Sequence, residues 1–142
     1  MATGTHLAFN HTRSKILNGT IDLDSDALRV VLLTAIPAAT VTGLAGVTGT
    51  LSTNLAANPV TLGSNTVSVT GSSNAKMDGT DTVFTASGGT STIAGYLIYS
   101  SSVTGNPVIS YGDIHAGATS ISLTAGETVT VTWNASGIYT LT

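Results

Sequence analysis

The sequence contains no cysteine and few charged residues. Without cysteine, the chain can form neither a disulfide framework nor a thiolate metal site. Lys, Arg, Asp and Glu together make up only 8% of the 142 residues, and no basic run exists that would neutralise several phosphates. Nucleic-acid binding is therefore not expected, and the net charge of -3 is too small to select a partner by electrostatics.

Long apolar runs are also absent. No run approaches the roughly 20 residues that cross a bilayer. The first six residues lack the cationic segment and apolar stretch of a signal peptide. We therefore expect no membrane partner, and a chain that is made in the cytoplasm and stays there or leaves inside an assembled particle.

The composition is dominated by Thr, Ser, Gly and Val. Thr and Val are β-branched and suit pleated strands, while Gly and Ser suit the turns between strands. A free cytoplasmic domain normally carries about a quarter charged residues. So neutral a surface indicates a protein whose exterior is largely an interface with other proteins, with a secreted β domain as the alternative.

Strand signals follow one another along most of the chain. Residues 27–34 are apolar on both faces, which predicts a central buried strand. Val129, Val131 and Trp133 share one face of a later segment whose other face is threonine. Shorter strands are predicted at residues 21–26 (a short edge strand that ends in a turn), 60–62, 66–70, 82–86, 92–100, 108–111, 120–124 and 138–141.

A short helix is predicted to begin at His11, with Asn10 as its cap and Gly19 as its stop. Residues 1–10 are expected to form a flexible N-terminal arm, and residues 11–142 a single β-sandwich domain. The predicted fold class is all-β: an antiparallel β-sandwich, with a jelly roll as one variant, and one short N-terminal helix.

The segment at residues 37–50 is rich in Pro, Ala, Thr and Gly. Gly43, Gly46 and Gly49 recur every three residues, but no Gly-Lys-Ser/Thr follows them, so the segment is not a phosphate loop. We interpret it as a long flexible loop that orders upon assembly.

The spacing of Asp22, Asp24 and Asp26 is that of the first three ligands of an EF-hand calcium loop. An EF-hand needs Gly at its sixth position and Glu at its twelfth, where this chain has Ala27 and Leu33. The residues therefore favour a solvated turn, with a loose cation site as the alternative. No metal site and no cofactor are predicted.

The three histidines give no sign of a catalytic site, either with each other or with a carboxylate. His6 and His11 are five residues apart, which is wrong for one helical face. Asp113 and His115 would share a face of a strand, but no supporting groups or pocket accompany them. No Gly-x-Ser-x-Gly elbow occurs. We predict no catalytic residue and no enzyme, with surface or interface roles for these side chains.

Four aromatic residues raise the question of a sugar site. Tyr96, Tyr99, Tyr111 and Trp133 all stand on predicted strands or next to one. At strand spacing, aromatic residues are more often core or interface anchors than a ligand platform. We therefore expect these four side chains to anchor the core or an interface.

A family resemblance follows from the order of these elements. A short helix, then Gly19-Thr20-Ile21-Asp22-Leu23, then the apolar strand resembles the opening of a widespread group of tailed-phage structural proteins. Related proteins often carry an aromatic, Gly-rich middle where residues 37–65 are rich in Ala, Thr and Gly, and a Trp where Phe84 stands. The resemblance continues at residues 92–99, 107–113, 127–134 and 137–138.

The resemblance implies a virion structural protein. It suggests a capsid cement or decoration protein on the capsid exterior, bound to the major capsid protein and to itself as a trimer or dimer. A tail or head-fibre adhesin is the alternative, and a hydrolase on a β scaffold is a third class.

Overall fold

Twelve strands and two helices make up the part of the chain that the structure, a computed structural model, describes: residues 6–70, 74–114, 120–134 and 136–141. Helix α1 spans Asn10–Leu17, and a 3-10 helix spans Leu44–Thr50. The strands are β1 (His6–Ala8), β2 (Leu28–Leu33), β3 (Val60–Thr61), β4 (Thr66–Thr70), β5 (Asn74–Asp78), β6 (Thr82–Thr85), β7 (Ser91–Ile93), β8 (Gly95–Ser100), β9 (Val108–Asp113), β10 (Ile121–Leu123), β11 (Thr128–Val131) and β12 (Tyr139–Leu141).

The largest sheet has five antiparallel strands in the order β1-β9-β8-β2-β3. Strands β2 and β8 pair along their whole length, from Leu28 opposite Ser100 to Leu33 opposite Gly95. Every residue of β2 is buried except Arg29. The predicted central strand at residues 27–34 is therefore confirmed.

Both faces of the five-stranded sheet are covered. On β2, Val30 faces the larger of two cores and Val31 faces the smaller one. The smaller core is closed by Phe9, which precedes α1, and by Val47 of the 3-10 helix. A sheet covered on both faces needs apolar side chains at successive positions, which explains the apolar runs of β2 and β8. The larger core is closed by side chains of the second layer, among them Met77, Phe84, Leu123, Val129 and Val131.

The second layer consists of three smaller antiparallel ladders, β7 with β10, β6 with β11, and β12-β5-β4. Val129, Val131 and Trp133 all point into the core, as their alternation predicts. The two layers confirm the all-β, sandwich-like fold with a short helix near the N-terminus. The jelly-roll variant stays a prediction.

The strand predicted at residues 21–26 is wrong, because this segment is a turn. The backbone N–H of Asp26 donates to the carbonyl of Asp22 over 2.9 Å. Asp side chains bond nearby backbone N–H groups and so compete with strand pairing. Ile21 and Leu23 are buried as their alternation predicts, but on a turn.

The flexible loop predicted at residues 37–50 is also wrong. The 3-10 helix lies within it and buries Val47 against the sheet. The N–H of Thr34 donates to the carbonyl of Thr50 over 2.7 Å, which ties the end of the segment to β2. A Cβ at Gly43 would lie 2.6 Å from the carbonyl oxygen of Gly105, so this glycine serves close packing and not flexibility.

The N-terminal predictions need two corrections. Helix α1 begins at Asn10, and its N-cap is Phe9, which makes no side-chain capping hydrogen bond. His6–Ala8, expected to belong to the arm at residues 1–10, form β1 and pair with β9. Residues 1–5 lie outside the described residues. The five-stranded sheet therefore includes part of the segment expected to be a flexible arm.

Candidate functional site

The carboxylates of the turn at residues 22–26, hereafter the acidic turn, serve mainly as internal hydrogen-bond acceptors. Asp22 Oδ1 accepts the backbone N–H of Asp24 over 3.0 Å and that of Ser25 over 3.3 Å. Asp26 Oδ2 accepts the N–H of Asp22 over 3.1 Å. Hydrogen bonds from the Ser25 side chain and the Asp24 backbone hold the pKa of the Asp22 carboxyl below its usual value. Asp22 is therefore ionised at neutral pH.

The cation-site alternative finds no support in this geometry. In the part of the chain that the structure describes, no three His, Asp or Glu side chains are grouped so that they could hold a metal ion. The carboxylates of Asp22 and Asp26 instead order the turn, which favours the solvated-turn interpretation.

The acidic turn is fixed to strand β4 by two sets of hydrogen bonds. Asn65 Nδ2 lies 2.8 Å from the carbonyl oxygen of Leu23 and 3.3 Å from those of Asp24 and Asp26. Asp24 Oδ1 accepts the backbone N–H of Val67 over 3.1 Å. One amide and one carboxylate thus join two segments about 40 residues apart.

Replacing Asn65 with alanine is expected to lower the free energy of unfolding by about 1–3 kcal/mol, because carbonyls of the acidic turn lose their donor. Urea denaturation followed by circular dichroism measures the change. Ser68→Ala is the matched control, since Ser68 lies exposed on the adjacent strand, and should change stability by less than about 0.5 kcal/mol. Equal stability of the two variants would contradict the role given to the amide.

An open groove lies between the C-terminal end of α1, the acidic turn and β4. Its volume is about 440 Å³. Ile21 and Leu23 are 2% and 7% exposed and form its floor. Asp22 and Asp24 line the groove but are exposed, so they stand at its mouth. The remaining lining comes from Ile16, Gly19 and Val67.

Apolar side chains project around this groove. Leu17, the last residue of α1, is 85% exposed. Val67 and Val69 share a face of β4, and their side chains are 44% and 76% exposed. Strand β4 is also the outer strand of its ladder among the described strands. Exposed apolar side chains close to a groove indicate a candidate interaction site.

The predicted imidazole positions fall on separate elements. His6 lies on β1 and His11 on the first turn of α1. Burial and the positive charge of Lys15 lower the pKa of His11, against a hydrogen bond to the Thr42 backbone that raises it. His115 lies outside the described residues, so its place on the same strand face as Asp113 stays a prediction.

The four aromatic residues considered for a sugar site are buried. Tyr96 is 1% exposed, and its ring meets that of Trp133 edge-on at a centroid distance of 5.2 Å. Tyr99 and Tyr111 are also buried, and the ring of Tyr111 lies 4.6 Å from that of Phe9. These side chains anchor the two cores, as their strand spacing predicts, and offer no exposed stacking face.

Sequence reasoning did not identify the groove. One signal for it is the adjacent pair Ile16 and Leu17, because neighbouring residues on a helix cannot both face the core. The side of the groove formed by β4 depends on the contact between Asn65 and the acidic turn, and no local sequence pattern reveals this contact.

Neither helix in the described part of the chain is long and apolar enough to cross a membrane. No protein-family model, curated protein or solved structure gives a significant match to this chain.

Proposed function

We propose that this protein is a structural protein of a phage virion, a cement or decoration protein that binds the major capsid protein on the outer capsid surface. The observation that carries the proposal is the exposed apolar surface of Leu17, Val67 and Val69 in a chain with 8% charged residues. Unpaired charges are costly to bury, so a weakly charged exterior suits a protein that is largely covered by others.

The layered core supports the same role. A cement protein bridges neighbouring subunits, and opening the shell would expose the area it buries. It must therefore hold its contact surfaces rigidly relative to one another. Here the five-stranded sheet is packed on both faces, by the second layer on one side and by the start of α1 and the 3-10 helix on the other.

A tail or head-fibre adhesin is the second candidate. Adhesins that bind glycans commonly stack sugar rings on exposed aromatic faces. Tyr96, Tyr99, Tyr111 and Trp133 are buried, which favours the cement role over glycan binding.

Localisation on the particle tests this proposal. An antibody raised against the purified chain, carrying gold, should label the heads of intact phage particles, with particles lacking the gene as the control. Heads lacking the protein should also release DNA at a lower temperature than complete heads. Label confined to the tail, or heads of unchanged thermal stability, would overturn the cement role.

A further inference from the structure

The exposed Leu17 lies beside the groove, in the chain between Ile16 and Gly19, which both line it. Ile16 lines the groove, and Leu17 follows it directly at the end of α1. We propose that the face formed by α1, the acidic turn and β4 binds a second copy of this chain, with Leu17 of each copy filling the groove of the other. This inference rests on the proposed function and deepens it, because the resemblance to virion structural proteins implies self-association as a trimer or dimer.

The shapes on this face are self-complementary. An interface with twofold symmetry uses the same patch on both copies, so that patch must carry both the projecting group and its receptor. Leu17 is the most exposed large apolar side chain among the described residues, at 85%. The floor of the groove, Ile21 and Leu23, is apolar and matches a leucine side chain.

The charges on this face are also self-complementary, and they select a second copy as the occupant. Arg13 is exposed one turn before Leu17, on the same side of α1, because residues four apart share a helix face. Asp22 and Asp24 stand at the mouth of the groove. A copy that inserts Leu17 therefore brings a cation to two carboxylates. This pairing offsets the repulsion between two chains of net charge -3.

Strand β4 extends the face without adding charge. Its five residues are Thr, Val, Ser, Val and Thr, and Val69 is 76% exposed. Two copies can therefore approach along β4 without placing like charges against each other.

Cysteine cross-linking tests the contact directly, because the natural chain has no cysteine. Leu17→Cys and Val67→Cys variants would be made with different affinity tags, mixed, and oxidised. We expect a mixed disulfide between the two variants in much higher yield than from the control pair of Leu17→Cys with Val83→Cys. Val83 lies on β6 and is 53% exposed, so it is equally accessible outside this face. Equal yields from the two pairs would overturn the inference.

Sedimentation equilibrium of the purified full chain gives the second measurement. The natural chain should dimerise, and Leu17→Glu should raise the dissociation constant by about 100-fold or more, because two leucine contacts are lost per dimer. Arg13→Glu should also weaken the dimer, whereas Val83→Glu should leave it unchanged. A monomer at all concentrations, or dimers of equal strength with Leu17→Glu, would overturn the inference. Because this experiment contains no phage particles, either result leaves the capsid role to be decided by localisation.

Discussion

Replacing Trp133 with alanine is expected to lower the free energy of unfolding by about 3–5 kcal/mol, the range for removing a large buried aromatic side chain. Trp133 is 8% exposed and packs edge-on against Tyr96 in the larger core. Its Nε1 donates to the carbonyl of Thr80 over 2.9 Å, and its backbone N–H donates to Asp81 Oδ1 over 3.0 Å. Urea denaturation followed by far-UV circular dichroism measures the loss.

Trp133→Phe is the matched control for this experiment. Phenylalanine keeps an aromatic ring in the core but cannot donate to the Thr80 carbonyl. Its expected cost is smaller, about 1–3 kcal/mol, because one acceptor loses its partner and the smaller ring fills less space. If the alanine variant were within about 1 kcal/mol of the natural chain, Trp133 would not anchor the two layers.

Phe9→Ala is expected to have a comparable effect, about 3–5 kcal/mol, in the smaller core. Phe9 is fully buried at the junction of β1 and α1, where its ring contacts Tyr111. Thr12 Oγ1 donates to the carbonyl of Val108 over 2.8 Å, so α1 is attached to β9 at two points. Loss of the phenylalanine ring should loosen α1 from the sheet. Hydrogen exchange of the α1 amides measures this loosening, and urea denaturation the overall change.

A substitution on the same helix supplies the control. Leu17→Ala removes an apolar side chain that is 85% exposed, and should change the stability of the monomer by less than about 0.5 kcal/mol. If the Leu17 and Phe9 variants destabilised the chain equally, the smaller core would not hold α1 in place.

The strands could be predicted because their patterns reflect burial. Val129 and Val131 alternate with threonines and face the core. Val30 and Val31 are both buried because β2 is covered on two sides. In both strands, the positions that are apolar in the sequence are the positions whose side chains lie in the core.

The prediction failed where local hydrogen bonds or distant contacts decide the backbone. Ile21 and Leu23 have the spacing of a strand, but Asp22 and Asp26 close a turn around them. The 3-10 helix forms where Gly43 allows close approach to the backbone of Gly105, a residue 62 positions away. The groove likewise requires contact between the acidic turn and β4, which are about 40 residues apart and whose proximity cannot be inferred from sequence spacing.

The hydrogen bond from Val67 to Asp24 also bears on whether a further strand can add to the edge of β4. A short uncharged strand of Thr, Val and Ser at the edge of a ladder can template the addition of further strands, and so start open-ended fibrils. Asp24 already takes one of the N–H groups that the next strand would use, that of Val67. A further strand added along β4 would have to break this hydrogen bond, which disfavours open-ended growth at this edge.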